Sequence, residues 1–305
     1  MTVALVPDGL AGERIDLAAS RMTGLSRSRV DQLAAAGGLV LNGQPVAKSH
    51  RVQAGDLLEV VEDKPARRLE VQARSVAGLG LVYQDADLVV VDKPAGVAAH
   101  PSLGWDGPSV VEHLAAAGIG VSTSGAPERE GIVQRLDVGT SGLMVVARSE
   151  FAYSALKAAF RQRRVRKIYQ AVAQGYPDPS TGTIDAAIGH HRGPEWKMAV
   201  SRSGRPAVTH YRTLAAGRGA SLLEIELETG RTHQIRVHLS AIHHPCLGDL
   251  VYGADPALAA RLELRRQWLH AVELAFPHPR SHEQVTFHSE PAPDLAAAWA
   301  VLRAD

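Results

Sequence analysis

Gly131-Ile132-Val133-Gln134-Arg135-Leu136-Asp137-Val138-Gly139-Thr140-Ser141-Gly142 runs straight into Leu143-Met144-Val145-Val146-Ala147. An apolar run, a loop holding one Arg, one Asp and three glycines, and a second apolar run read as strand, loop, strand. A carboxylate seldom lies between two buried strands without partners. Glycines beside it let backbone approach closely, so Asp137 is the candidate reacting group. Taken alone, Arg135-x-Asp137 also fits a surface turn with a local ion pair.

The flanking sequence sets the frame. A chain of 305 residues predicts two domains and a sizeable core. Lys and Arg total 33 against 32 Asp and Glu, so bulk charge does not announce a nucleic-acid binder. No apolar run reaches the length of a membrane span, and the first residues lack the basic-then-apolar pattern of a secretory signal. The single Cys246 excludes an internal disulfide and a thiolate metal cluster, and a cytoplasmic location is expected.

Positive charge is concentrated locally. Arg161-Gln162-Arg163-Arg164-Val165-Arg166-Lys167 is the densest basic run, and Arg163, Arg164, Arg166 and Lys167 are candidate RNA-phosphate contacts. A solvated helix end reads the same way.

Residues 1–72 form the expected first domain, with a core over 12–61. Ile15, Leu17, Ala18 and Met22 predict one helix, and Ser26 caps a second that runs to Gly37-Gly38. Asn42-Gly43 between Leu39-Val40-Leu41 and Gln44-Pro45-Val46 predicts a hairpin. Leu57 to Val61 is the last strand. Arg27 and Arg29 sit in the first turn of the second helix, where the dipole disfavours cations and a bound phosphate would remove the conflict. Residues 62–78, charged and poorly periodic with Pro65, read as linker.

Residues 79–305 form the expected second domain. Leu79 to Asp92 reads as two strands around an Asp-containing turn, and Lys93-Pro94-Ala95-Gly96 as a tight turn. Phe151 to Phe160 predicts an amphipathic helix, Lys167 to Gly175 a strand, and Asp178 to Ser203 a loop-rich stretch. In a strand over Leu222 to Glu228, Leu223, Ile225 and Leu227 face inward and the glutamates face water. Ile235, Leu239 and Ile242 share a helix face, which puts Arg231 at a strand-to-helix junction. His233 and His238 point to different sides of that segment and no second carboxylate has ligand spacing, so no metal is expected. Strands dominate without regular strand–helix alternation, which predicts an α+β fold with a mostly antiparallel mixed sheet.

The wording of these stretches adds a family resemblance. Arg135-Leu136-Asp137-x-x-Thr140-Ser141-Gly142 closely resembles the signature loop of the RluA-type pseudouridine synthases, with Gln134 where most members have His and Val138-Gly139 where Lys-Asp is common. Asp92-Lys93-Pro94-x-Gly96, Lys167-x-Tyr169-x-Ala171 and Thr229-Gly230-Arg231-x-His233-Gln234-Ile235-Arg236 are similar to further motifs of that family. About residues 12–72 resemble the small RNA-binding module named after ribosomal protein S-four. The resemblance implies the pseudouridine synthase fold and isomerisation of uridine to pseudouridine in RNA without a cofactor, in keeping with the lack of a P-loop or dinucleotide fingerprint. It implies that Asp137 is catalytic, that Tyr169 packs against the target base, and that Arg231 pairs with Asp137. Arg135 would contact RNA backbone or fill the gap left by the extruded base.

Within the family the arrangement is most similar to the D-type enzymes of large-subunit ribosomal RNA. The implied substrate is a structured stem-loop, naked or in an assembling large subunit, with the target uridine flipped out, and the enzyme is expected as a monomer. A catalytically silent rRNA-binding or ribosome-assembly protein is the alternative, with Gln134 its one support. A hydrolase using Ser141 is the less favoured rival, since Gly139-Thr140-Ser141-Gly142 is not a nucleophile elbow.

Overall fold

The computed structural model describes residues 2–61, 71–102, 105–125, 129–191, 193 and 197–304, apart from the side chains of Arg27, Ser28, Gln32 and Ala35. The chain divides into two compact units, residues 1–68 and 69–305.

In the first unit β1 (Thr2–Leu5), α1 (Ile15–Thr23), α2 (Arg27–Ala35), β2 (Leu39–Leu41), β3 (Gln44–Pro45) and β4 (Leu57–Val60) follow in order. The four strands form one sheet in the order β1-β4-β2-β3. Ile15, Ala18, Ala19, Val30 and Leu33 of the helices pack with Leu39, Leu58 and Val60 in one core. The Ser26 hydroxyl accepts from the Arg29 N–H at 3.2 Å and starts α2. Asn42 and Gly43 both take positive φ, as the tight β2–β3 hairpin requires.

The second unit continues with β5 (Gly80–Gln84), β6 (Leu88–Lys93), α3 (Val110–Ala116), β7 (Ser141–Ala147), α4 (Glu150–Arg161), β8 (Arg166–Gln174) and β9 (Thr181–Asp185). Next come β10 (Ile188–His190), β11 (Met198–Val200), β12 (Val208–Gly217), β13 (Ala220–Leu227), α5 (Gln234–Ala241), α6 (Pro256–Arg261), β14 (Leu269–Pro277), β15 (Gln284–His288) and α7 (Pro293–Arg303).

Nine strands make one sheet, ordered β5-β6-β7-β14-β8-β13-β12-β9 with β15 also on β14. Every pairing is antiparallel except β7 with β14. All seven residues of β7 are buried, as expected of a central strand covered on both faces. One face carries Tyr169, Ala171, Leu223, Ile225, Ile235 and Leu239 in a shared core. On the other, α4 buries Ala152, Leu156 and Ala159 over Leu143 and Val145, and α7 buries Leu295, Ala298 and Leu302 beside Val172 and Trp268.

Two expectations change here. Of the stretch that reads as linker, residues 62–70 lie outside the described residues, while Val71 and Val76 pack against the core of the larger unit. The loop-rich segment 178–203 contains β9, which pairs with β12, and a separate ribbon of β10 and β11. Its polar, glycine-bearing wording concealed the strands because ladder hydrogen bonds to distant partners, not local alternation, hold them.

Candidate active site

Asp137 lies in the loop that enters β7. Two glycines fix how that loop runs. A Cβ on Gly139 would fall 2.6 Å from Oε1 of Gln267. Gly142 has φ +111°, and its Cβ would fall 2.4 Å from the Ala271 carbonyl of the adjoining parallel strand. The Asp137 carbonyl accepts from the Thr140 N–H at 3.0 Å and closes the turn. The carboxylate itself keeps partial access, at 23% exposure.

α5 supplies the partner. Arg236, in the first turn, donates Nε and Nη2 to Asp249 at 2.6 and 3.0 Å, and Nη1 to Oδ2 of Asp137 at 3.2 Å. The Asp249 side chain is 1% exposed, and the Arg236 guanidinium lies 4.8 Å from the centre of the Tyr252 ring. A cation is disfavoured at a helix N-terminus, and the two carboxylates offset that conflict. Burial works against this charge, but the hydrogen bonds and negative charge of Asp249, with Asp137 adding to them, push the Arg236 pKa further up. Asp249 thus locks the guanidinium in plane, and its remaining donor orients the Asp137 carboxylate.

This corrects the expected pairing. Arg231 lies in the loop before α5, and its Nε donates to the Pro206 carbonyl at 3.0 Å. The guanidinium on Asp137 belongs to Arg236, five residues later in the same motif. The sequence carries both arginines. Only the helix start, with His233 as its N-cap, decides which one turns inward.

Tyr169, on β8, is buried in the core of the same sheet face. Burial, and then the negative charge of Asp137, push its phenol well above the ordinary tyrosine range. The phenol therefore stays neutral.

Lys93 reads from sequence as a turn residue without chemistry, yet its side chain is fully buried. Nζ donates to the carbonyls of Val97 at 2.8 Å, Pro94 at 3.0 Å and Val138 at 3.4 Å. The Gly96 N–H also reaches the Val138 carbonyl, at 2.8 Å. Burial pushes the Lys93 pKa down to about 7, with Asp137 and Asp92 opposing the fall. The Asp-Lys-Pro turn therefore clamps the residue next to Asp137 from behind.

His233 is a second residue that sequence reasoning missed. It adopts the left-handed conformation (φ 57°, ψ 21°) and places Nε2 4.0 Å from Oδ2 of Asp137. The Tyr252 hydroxyl accepts from the Met198 N–H at 3.1 Å and lies 2.8 Å from Nδ1 of His233. Burial lowers the His233 pKa, with the negative charge of Asp137 opposing the fall. A buried Nε2 of Gln134 finds no partner among the described residues. Its position is where the resembling family carries His.

The candidate RNA contacts divide. Arg135 is exposed and donates Nη2 to the Thr232 hydroxyl at 3.3 Å, at the rim of this cluster. In the basic run, Arg163 pairs with Glu228 at 2.6 Å, and Arg166 pairs with Glu273. Arg164 is exposed and bonds Gln162, whereas Lys167 is partly buried and pushed down to about 8, chiefly by that burial. Arg163 and Arg166, expected as phosphate contacts, are thus each paired with a glutamate while remaining exposed. Neighbouring strands bring glutamates to them that the linear sequence does not show. The Arg27 side chain lies outside the described residues, and Arg29 enters the helix cap through its backbone N–H.

Asp137 thus receives the Arg236 guanidinium, with the His233 ring 4.0 Å from the same carboxylate oxygen. The RNA pseudouridylate synthase family matches residues 87–241. An uncharacterised RNA pseudouridine synthase of Mycobacterium bovis is 56% identical over 300 residues, spanning 98% of this chain and 97% of its own. The ribosomal large subunit pseudouridine synthase D of Zymomonas mobilis is 39% identical over 304 residues, spanning 96% and 95%. Among solved structures, human RNA pseudouridylate synthase domain containing 1 superposes with a TM-score of 0.60 at 30% identity, covering 74% of this chain and 89% of that one. The chain belongs to the RNA pseudouridylate synthase family. It is an RNA pseudouridine synthase, an isomerase that acts on RNA.

Proposed function

We propose that the enzyme isomerises specific uridines of large-subunit ribosomal RNA. Supporting this target, relatives named for the large ribosomal subunit align with nearly the whole chain, first unit included. The target nucleotide leaves its helix or loop at a cost of about a few kcal/mol. The N1–C1′ bond breaks, the uracil turns while held, C5 joins C1′, and the C5 proton is lost. Asp137 acts on the ribose side of that bond, aimed by Arg236. The Tyr169 ring holds the uracil face, and Arg135 enters the space the nucleotide leaves or grips its backbone.

The observation that carries the proposal is the 3.2 Å contact of Arg236 with Asp137. Pseudouridines are mapped in large-subunit rRNA from cells with and without the gene, and with Asp137→Asn. The wild-type gene restores sites that the variant does not, although the variant still binds the RNA. Restoration by Asp137→Asn at the wild-type rate sinks the assignment.

A further inference from the structure

Behind the loop that carries Asp137, five side chains from distant parts of the sequence form one hydrogen-bonded file. Arg266 Nη1 donates to the Ser141 hydroxyl at 3.1 Å and to the Gly139 carbonyl at 3.1 Å. Ser141 Oγ lies 2.8 Å from His270 Nδ1, and His270 Nε2 lies 3.0 Å from Ser289 Oγ. The Ser289 hydroxyl donates to Asp92 Oδ2 at 2.6 Å. Ser141 and His270 are each 1% exposed, so water does not substitute along the middle of the file.

The direction of every proton follows from its ends. A guanidinium only donates and a carboxylate only accepts. Ser289 spends its one proton on Asp92, so its oxygen must accept from His270 Nε2–H. Nδ1 is then a lone pair and accepts from the Ser141 O–H, whose oxygen accepts from Arg266. The opposite tautomer would set two proton-less atoms against each other at Ser289. Burial pushes the His270 pKa down to about 4, with Asp92 and Asp294 raising it and Arg266 lowering it, so the ring stays neutral. The outer anchors are also held. Arg266 grips Asp294 of α7 through Nε and Nη2 at 2.7 Å each, and Asp92 directly precedes Lys93, whose ammonium donates to Val138. Gln267 donates to the Thr140 hydroxyl at 3.1 Å, so Gly139, Thr140 and Ser141 are each tied to the segment that leads into β14.

We propose that Arg266, Ser141, His270, Ser289 and Asp92 are a directional positioning relay that fixes the loop bearing Asp137 relative to β6 and β14. The relay rests on Asp137 being the acting carboxylate. None of its members touches substrate. Each acts by denying the loop a second arrangement, so its loss moves the carboxylate rather than weakening the grip on RNA.

The test uses the full-length enzyme on large-subunit rRNA from cells lacking the gene, under single-turnover conditions. Ser289→Ala removes the acceptor for His270 at a half-buried joint of the file. It lowers the rate of pseudouridine formation by about 10- to 100-fold, with RNA affinity unchanged within about twofold. Ser289→Thr, which keeps the hydroxyl, restores the rate. Proton–nitrogen correlation spectra of the wild-type chain show His270 as the neutral Nε2–H tautomer, and in Ser289→Ala that population is lost. The relay is overturned if Ser289→Ala turns over within about twofold of wild type, or if wild-type His270 is Nδ1–H or charged at neutral pH. The tautomer is read on the wild-type chain, so it decides the relay even where a variant does not fold. A wild-type enzyme that forms no pseudouridine in this rRNA defeats the target assignment instead, and the relay is then decided by the tautomer.

Discussion

Arg236 joins two carboxylates of different standing, Asp249 at 1% exposure and Asp137 at 23%. The buried one holds the guanidinium with two bonds, and the accessible one receives the third. Removing Arg236 therefore has two separable effects. Arg236→Ala leaves Asp249 a buried unpaired charge and lowers stability by about 3–5 kcal/mol. It also lowers turnover by about 100-fold or more. The double variant Arg236→Met with Asp249→Leu recovers most of the stability but none of the turnover. Denaturant unfolding and single-turnover assays measure the two. Recovery of activity together with stability would reduce Arg236 to a structural residue.

Tyr169 has its phenol raised by burial and by the charge of Asp137, so it stays protonated through the alkaline range. The alkaline limb of the rate–pH profile then carries no inflection from Tyr169 up to about pH 10. Tyr169→Phe preserves the stacking face, and RNA affinity changes little. An inflection that disappears in Tyr169→Phe contradicts this environment.

Lys93 gives a pH dependence of stability. Its folded pKa is pushed down to about 7 from an ordinary 10.5, so between those values the unfolded chain binds the extra proton. Stability contributed by this group therefore rises with pH across the window and is lowest below pH 7. The stability of wild type minus that of Lys93→Met climbs between pH 7 and 10 with a slope of up to about 1.4 kcal/mol per pH unit. Urea titrations at pH 6, 8 and 10 measure it. A flat difference means the native ammonium keeps its proton throughout.

Arg135 and Arg163 separate free from committed charge. Arg135→Ala lowers RNA affinity and reduces the slope of log K against log salt by about 1. Arg163→Ala leaves the slope nearly unchanged, because its charge is already matched by Glu228. Filter binding across a salt series distinguishes them, and equal slopes for the two variants would return Arg163 to the RNA-binding set.

Much of the fold was legible because its signals are local. The Asn42-Gly43 hairpin, the Ser26 cap and the alternation of Leu223, Ile225 and Leu227 each depend on neighbours a few residues away. The strands β9 to β11 were not legible, since their partners come from elsewhere in the chain. Of the site, Asp137 and Tyr169 were marked by their motifs. Arg236 was hidden beside Arg231 because both fit the same wording. Lys93 looked like a turn residue, and only its burial revealed the three carbonyls it binds.

The sequence by itself determined an α+β sheet and the family to which the enzyme belongs, since periodicity, turn chemistry and motif order survive in one dimension. Only the tertiary structure decided which guanidinium meets Asp137 and which glutamates lie beside Arg163 and Arg166. Those outcomes depend on distances between groups about a hundred residues apart, such as the 99 that separate Arg236 from Asp137, and electrostatic strength in a buried site depends on such distances and on exclusion of water.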